Sequence, residues 1–194
     1  WLYILGFRRK KNLVHLKFSN EAIVFSAILL TANAIAYFGK ALDNGCGNFS
    51  ILILISVFIY GILGYFFNSR LIWIFALISL GAWFGTETGY LSRWNYYFLG
   101  MNYPLRFVGF GVILTALSFL MKVNPKTQNF FQATYIAGMV YLFISLWALS
   151  VFGNFASLEE WYTVKQLSLF YWALISATVC VVSTVFGLKY NDDV

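Results

Sequence analysis

Glu87, Arg93 and Arg106 are the chemically capable side chains of "GAWFGTETGYLSRWNYYFLGMNYPLRF", the segment Gly81–Phe107 between two apolar runs. Either arginine could grip the carboxylate through a two-pronged fork, which would latch the loop shut. Left unpaired beside an open groove, the arginines could bind phosphate while Glu87 acts as a general base. The apolar run Leu71–Gly85 is too short to cross a bilayer comfortably, so its helix must run on. That brings Glu87 to the edge of the hydrocarbon, where a carboxylate must be hydrated, protonated or paired. The latch is the weightier reading, and the functional one stays open.

Other chemistry is sparse. His15 is the single histidine and lies in a basic stretch, which argues against paired-histidine haem carriers and most zinc sites. The chain has neither a Gly-rich phosphate loop nor a nucleophile elbow. No metal or cofactor is expected. Cys46 falls in a loop and Cys180 in mid-span, so the two cysteines are expected to stay free. Glu159 and Glu160 read as a solvated face of the last loop.

Small residues carry a different message. Gly81, Gly85 and Gly89 recur every four residues and stay on one helix sector, which permits close helix approach. Ser176, Cys180 and Thr184 make a similar weakly polar stripe on the last span; it reads as a packing seam before a pore lining. Asn33 lies inside the first span and is expected to hydrogen-bond to a neighbouring helix.

These side chains belong to a membrane protein. Across 194 residues the chain is 61% hydrophobic, 21% aromatic and only 10% charged, with a mean hydropathy of +0.75. A soluble domain is typically about a quarter charged, so most of this surface must face lipid. The net charge of +6 is concentrated in "RRKKNLVHLK". Anionic headgroups and topology account for that cluster without nucleic acid.

Six runs are long enough to span: Ala22–Gly39, Phe49–Phe67, Leu71–Leu91, Pro104–Met121, Ala133–Phe152 and Leu167–Leu188. They do not alternate as barrel strands do, so the expected fold is all-α, a polytopic transmembrane helical bundle with short loops. "LDNGCGN", "NSR" and "NPKTQN" supply the turns. Asn20 is placed as the cap of the first helix and Pro104 in the first turn of the fourth.

The expected organisation is a segment 1–21, a six-helix domain 22–188 and a tail 189–194. "WLYILGF" followed by "RRKK" reads as the end of an apolar helix leaving a membrane, so an earlier span is expected before Trp1. With the basic cluster cytoplasmic, nine of the 13 Lys and Arg residues fall inside: Arg8, Arg9, Lys10, Lys11, Lys17, Arg70, Lys122, Lys126 and Lys189. Lys40, Arg93, Arg106 and Lys165 fall outside. Both chain ends are then cytoplasmic, and Trp94, Tyr96, Tyr97 and Tyr103 sit at the outer headgroup level.

The passage "GYFFNSRLIWIFALISLGAWFG" (Gly64–Gly85) hinges two apolar runs on an Asn-Ser-Arg turn and ends in Trp and Gly. It resembles bacterial polytopic membrane proteins grouped only as a domain of unknown function, over about Phe49–Phe107. The resemblance implies an inner-membrane location and no activity.

Three functions fit the residues. The first is a non-enzymatic scaffold, anchor or accessory subunit, with lipids, other membrane subunits or a second copy as partners. The second is a small-solute transporter or channel. The third is a membrane enzyme acting on lipid-linked or phosphate-bearing substrates at the outer face.

Overall fold

The computed structural model describes residues 1–11, 17–42, 49–93, 97–155, 158–163 and 170–190. Within them the chain forms eight helices: α1 (Leu2–Lys11), α2 (Lys17–Leu42), α3 (Phe49–Phe67), α4 (Arg70–Leu91), α5 (Tyr103–Val123), α6 (Gln128–Phe152), α7 (Leu158–Thr163) and α8 (Phe170–Tyr190). Five contain spans long and apolar enough to cross a membrane: Ala22–Ala41, Phe49–Phe67, Arg70–Leu91, Tyr103–Val123 and Gln128–Phe152. A sixth apolar stretch, Tyr171–Val185, lies in α8. The fold is all-α, and the chain is an integral membrane protein.

Local chemistry shifts several boundaries from those expected. Helix α1 runs through the basic residues to Lys11, because arginine and lysine are good helix formers and no breaker interrupts them. Asn20 does not cap α2; it lies inside a helix that already begins at Lys17. Helix α6 starts at Gln128 rather than Ala133, since polar glutamines extend a helix beyond its apolar window. Pro104 does occupy the first turn of α5, but the cap is Asn102, whose side chain accepts from the Leu105 amide at 3.2 Å.

The chain divides into two compact units, Trp1–Glu87 with Lys126–Ala133, and Thr88–Pro125 with Thr134–Val194. The first is held by aromatic rings. Its core is Ile28, Tyr60, Ile72 and Ala76. The Tyr60 hydroxyl donates to the Ile28 carbonyl at 3.1 Å, which ties α3 to α2. The hydroxyls of Tyr3 and Thr31, 3.1 Å apart, join α1 to α2. Phe130, 1% exposed, stacks on Trp73 with ring centroids 4.6 Å apart.

Helices α3 and α4 form a hairpin on the Asn-Ser turn. Asn68 turns the chain with a left-handed φ of 47°, a conformation asparagine tolerates better than most residues. The Ser69 amide donates to the Gly64 carbonyl at 3.1 Å. Gly64 lets the two backbones approach closely there, since a Cβ would lie 3.2 Å from the Trp73 backbone nitrogen.

The second unit is held by close backbone approach. A Cβ on Gly111 of α5 would come within 2.7 Å of the Leu142 nitrogen on α6. One on Gly138 of α6 would come within 2.6 Å of Thr115 Oγ1 and 2.8 Å of its nitrogen. Ser118, Thr134 and Ser145 are buried along these helices. Their hydroxyls need internal partners: Ser118 donates to the Thr115 carbonyl at 2.6 Å, and Thr134 meets the Met121 sulfur at 3.5 Å.

Candidate functional site

Glu87 lies on the last part of α4, and its carboxylate accepts a hydrogen bond from the Ser50 hydroxyl. Ser50 is the second residue of α3 and only 3% exposed. The acid therefore sits at the N-terminal turn of α3, where the helix dipole favours negative charge. Neither arginine was needed to hold it there. The sequence pointed to basic partners and overlooked a serine at a helix start.

Arg106 lies in the first turn of α5 and is 3% exposed. Its Nε donates to the Met101 carbonyl at 3.1 Å and its Nη1 to the Thr88 carbonyl at 3.3 Å. The guanidinium carbon stands 4.6 Å from the Tyr103 ring centre and 5.2 Å from that of Phe98, the geometry of a cation–π contact. Thr88 belongs to the final turn of α4, whose carbonyl end favours a cation. Arg106 is thus a structural cap with its planar face covered. Arg93 is exposed, with a φ of 54°, in the turn that follows α4.

Around Arg106 the loop 97–102 is drawn tight. Phe98 and Met101 exchange two backbone hydrogen bonds of 3.0 Å. Between them Leu99 (φ 51°) and Gly100 (φ 75°) are both left-handed, as a type I′ turn requires. Asn102 completes the arrangement. Its amide donates to Asn154 Oδ1 at 3.0 Å, and its Nδ2 donates to the Gly153 carbonyl at 2.6 Å. Asn154 in turn donates from Nδ2 to the Gly100 carbonyl at 3.2 Å. Tyr97 donates its hydroxyl to the Asn154 carbonyl at 3.0 Å. This clasp between the start of α5 and the end of α6 was missed in the sequence. Its signals were an asparagine two residues before a proline and a Gly-Asn pair where the apolar run stops.

The small residues divide. Gly81 and Gly89 are buried and Gly85 is half-buried. On α8, Ser176 is half-buried while Cys180 and Thr184 are exposed; Thr184 donates to the Cys180 carbonyl at 2.9 Å. Cys180 is a free thiol. Asn33, expected to bond to a neighbouring helix, is instead exposed on α2 and makes no hydrogen bond among the described residues. Cys46, His15, Trp94, Tyr96 and Lys165 lie outside the described residues, as does Lys189 in its side chain. Glu159 and Glu160 are exposed on α7.

Among the described residues no cluster of three or more His, Cys, Asp or Glu side chains could hold a metal. A shallow, open groove of about 400 Å³ is lined by Val57, Phe58, Gly61, Ile62, Tyr65 and Phe66 of α3 with Trp73 of α4. Its walls are apolar, so it suits a hydrocarbon chain better than a polar solute.

No family model matches the chain, and neither a curated protein nor a solved structure was found similar to it. Nothing in these comparisons bears on the resemblance carried by Gly64–Gly85.

Proposed function

We propose that this membrane protein is a non-enzymatic scaffold or anchor, an accessory subunit of a larger membrane assembly. We place it in a bacterial inner membrane with its basic N-terminal segment and its C-terminus cytoplasmic. The observation that carries this reading is the engagement of Arg106: a guanidinium covered by two rings and bonded to two carbonyls offers no face to a phosphate. Glu87, bonded to Ser50, fits the same pattern.

Solubilised in mild detergent from its own membrane, the tagged chain is expected to carry another membrane protein in fixed ratio. Recovery of this chain alone would overturn the accessory role. Reconstituted into vesicles, it is expected to leave the flux of small solutes at the protein-free level, and saturable uptake would replace the scaffold with a transporter. Glu87→Gln keeps an acceptor for Ser50 and is expected to leave the assembly intact. For topology, green fluorescent protein fused after Val194 is expected to fluoresce and alkaline phosphatase to stay inactive; the opposite pair of results would invert the chain.

A further inference from the structure

Helix α2 has two faces. One is used by its own unit: Val24, Ala27, Ile28, Thr31 and Ile35 are buried or half-buried. The other carries Ala22, Ser26, Leu29, Asn33, Ala36 and Lys40, every one of them exposed. Ser26, Asn33 and Lys40 recur every seven residues, with Ala22, Leu29 and Ala36 at the alternating three- and four-residue steps between them. That spacing keeps all six on one stripe of the helix, with a small or polar residue at every position but Leu29.

Asn33 stands within one turn of the middle of the span Ala22–Ala41. A carboxamide there has two donors and an acceptor, and none is satisfied among the described residues. Hydrocarbon cannot supply partners, and an unpaired polar group in it is costly. Only 17% of the span's residues are buried by the chain itself, so a partner has room to dock.

We propose that this face of α2 is a homodimer interface, in which Asn33 pairs with Asn33 of a second copy. The carboxamide is its own complement: the Nδ2–H of one copy donates to Oδ1 of the other, and the reverse. A closed dimer in a bilayer has its two-fold axis along the membrane normal, so the two α2 helices run parallel and like residues meet. An asparagine at an a position is the device that fixes such a register and favours two strands. Leu29 and Ala36 pack above and below it. Lys40 lies about 10 Å further along, near the helix end, where the two ammonium groups can reach outward to the headgroups. The interface does not depend on the scaffold reading, since a transporter or an enzyme could dimerise in the same way.

The test uses the whole chain in lipid vesicles. On a Cys46→Ser, Cys180→Ser background, single cysteines are placed from Ala22 to Lys40 and oxidised. Disulfide-linked dimers are expected to peak at Leu29 and Ala36 and to be weak at Ala27 and Thr31. Asn33→Leu, which removes no hydrogen bond found among the described residues, is expected to keep full helicity yet weaken dimerisation, read by energy transfer between labelled copies, roughly tenfold. Asn33→Gln is expected to restore most of it. The proposal is overturned by a monomer at every protein-to-lipid ratio or by cross-links that peak on the Ala27–Thr31 face. It is equally overturned if Asn33→Leu dimerises as tightly as the native chain.

Discussion

The two units differ in how their helices are brought together around Tyr60 and around Gly111. Around Tyr60 and Phe75, helices meet through rings, and one hydroxyl reaches across to a backbone carbonyl. At Gly111 and Gly138 nothing separates the helices, and the backbones of α5 and α6 touch. Between membrane helices the solvent gives little hydrophobic drive, so contact area and polar bonds must supply the attraction. Rings supply area at a distance and tolerate adjustment; glycines supply it by contact and tolerate none.

Substitution separates the two solutions, and the largest effect belongs to Gly138→Val. Its new atoms meet Thr115 backbone that cannot move aside, so unfolding by steric trapping in bicelles is expected to show a loss of about 3 kcal/mol or more. Gly111→Ala should approach that cost. Next comes Arg106→Met, which strips two carbonyls and two rings of their cation; about 2 kcal/mol is expected by the same method. Arg106→Lys should recover little, because an ammonium lacks the planar fork. Asn154→Ala removes the bonds to Asn102 and Gly100 and should cost about 1–2 kcal/mol, mostly as faster proteolysis near Gly153. Tyr60→Phe loses one hydroxyl bond in the ring-packed unit, at about 1 kcal/mol. Smallest is Gly61→Ala, where a Cβ meets nothing within 4 Å; replacing this helical glycine should stabilise by about 0.5–1 kcal/mol. The contrast breaks if Gly61→Ala and Gly111→Ala shift the midpoint alike.

The helices were legible because lipid imposes one composition on every span: Phe49–Phe67 was read to the residue. The start of α6 was not, since Gln128, Asn129 and Gln132 break up the apolar signal of Phe130 and Phe131. The turn at Asn68 was plain from its residue types. The clasp was not, because Asn102 and Asn154 are far apart in sequence and only the meeting of two helix ends makes them partners. Among the small residues, a strict four-residue repeat drew the eye to Gly81, Gly85 and Gly89. The crossing at Gly111 and Gly138 uses a single glycine on each helix, and a lone glycine carries no period. Glu87 was expected to be hydrated, protonated or paired, with arginine as the nearest basic partner; a hydroxyl at the start of α3 bonds it instead.

The hairpin at Asn68 also constrains how the protein is made. Only Asn68 and Ser69 separate α3 from α4, and two extended residues reach about 7 Å. So short a tether holds the end of α3 and the start of α4 at one face of the bilayer. As the chain is made, α4 can therefore re-enter the membrane only from the face at which α3 ended.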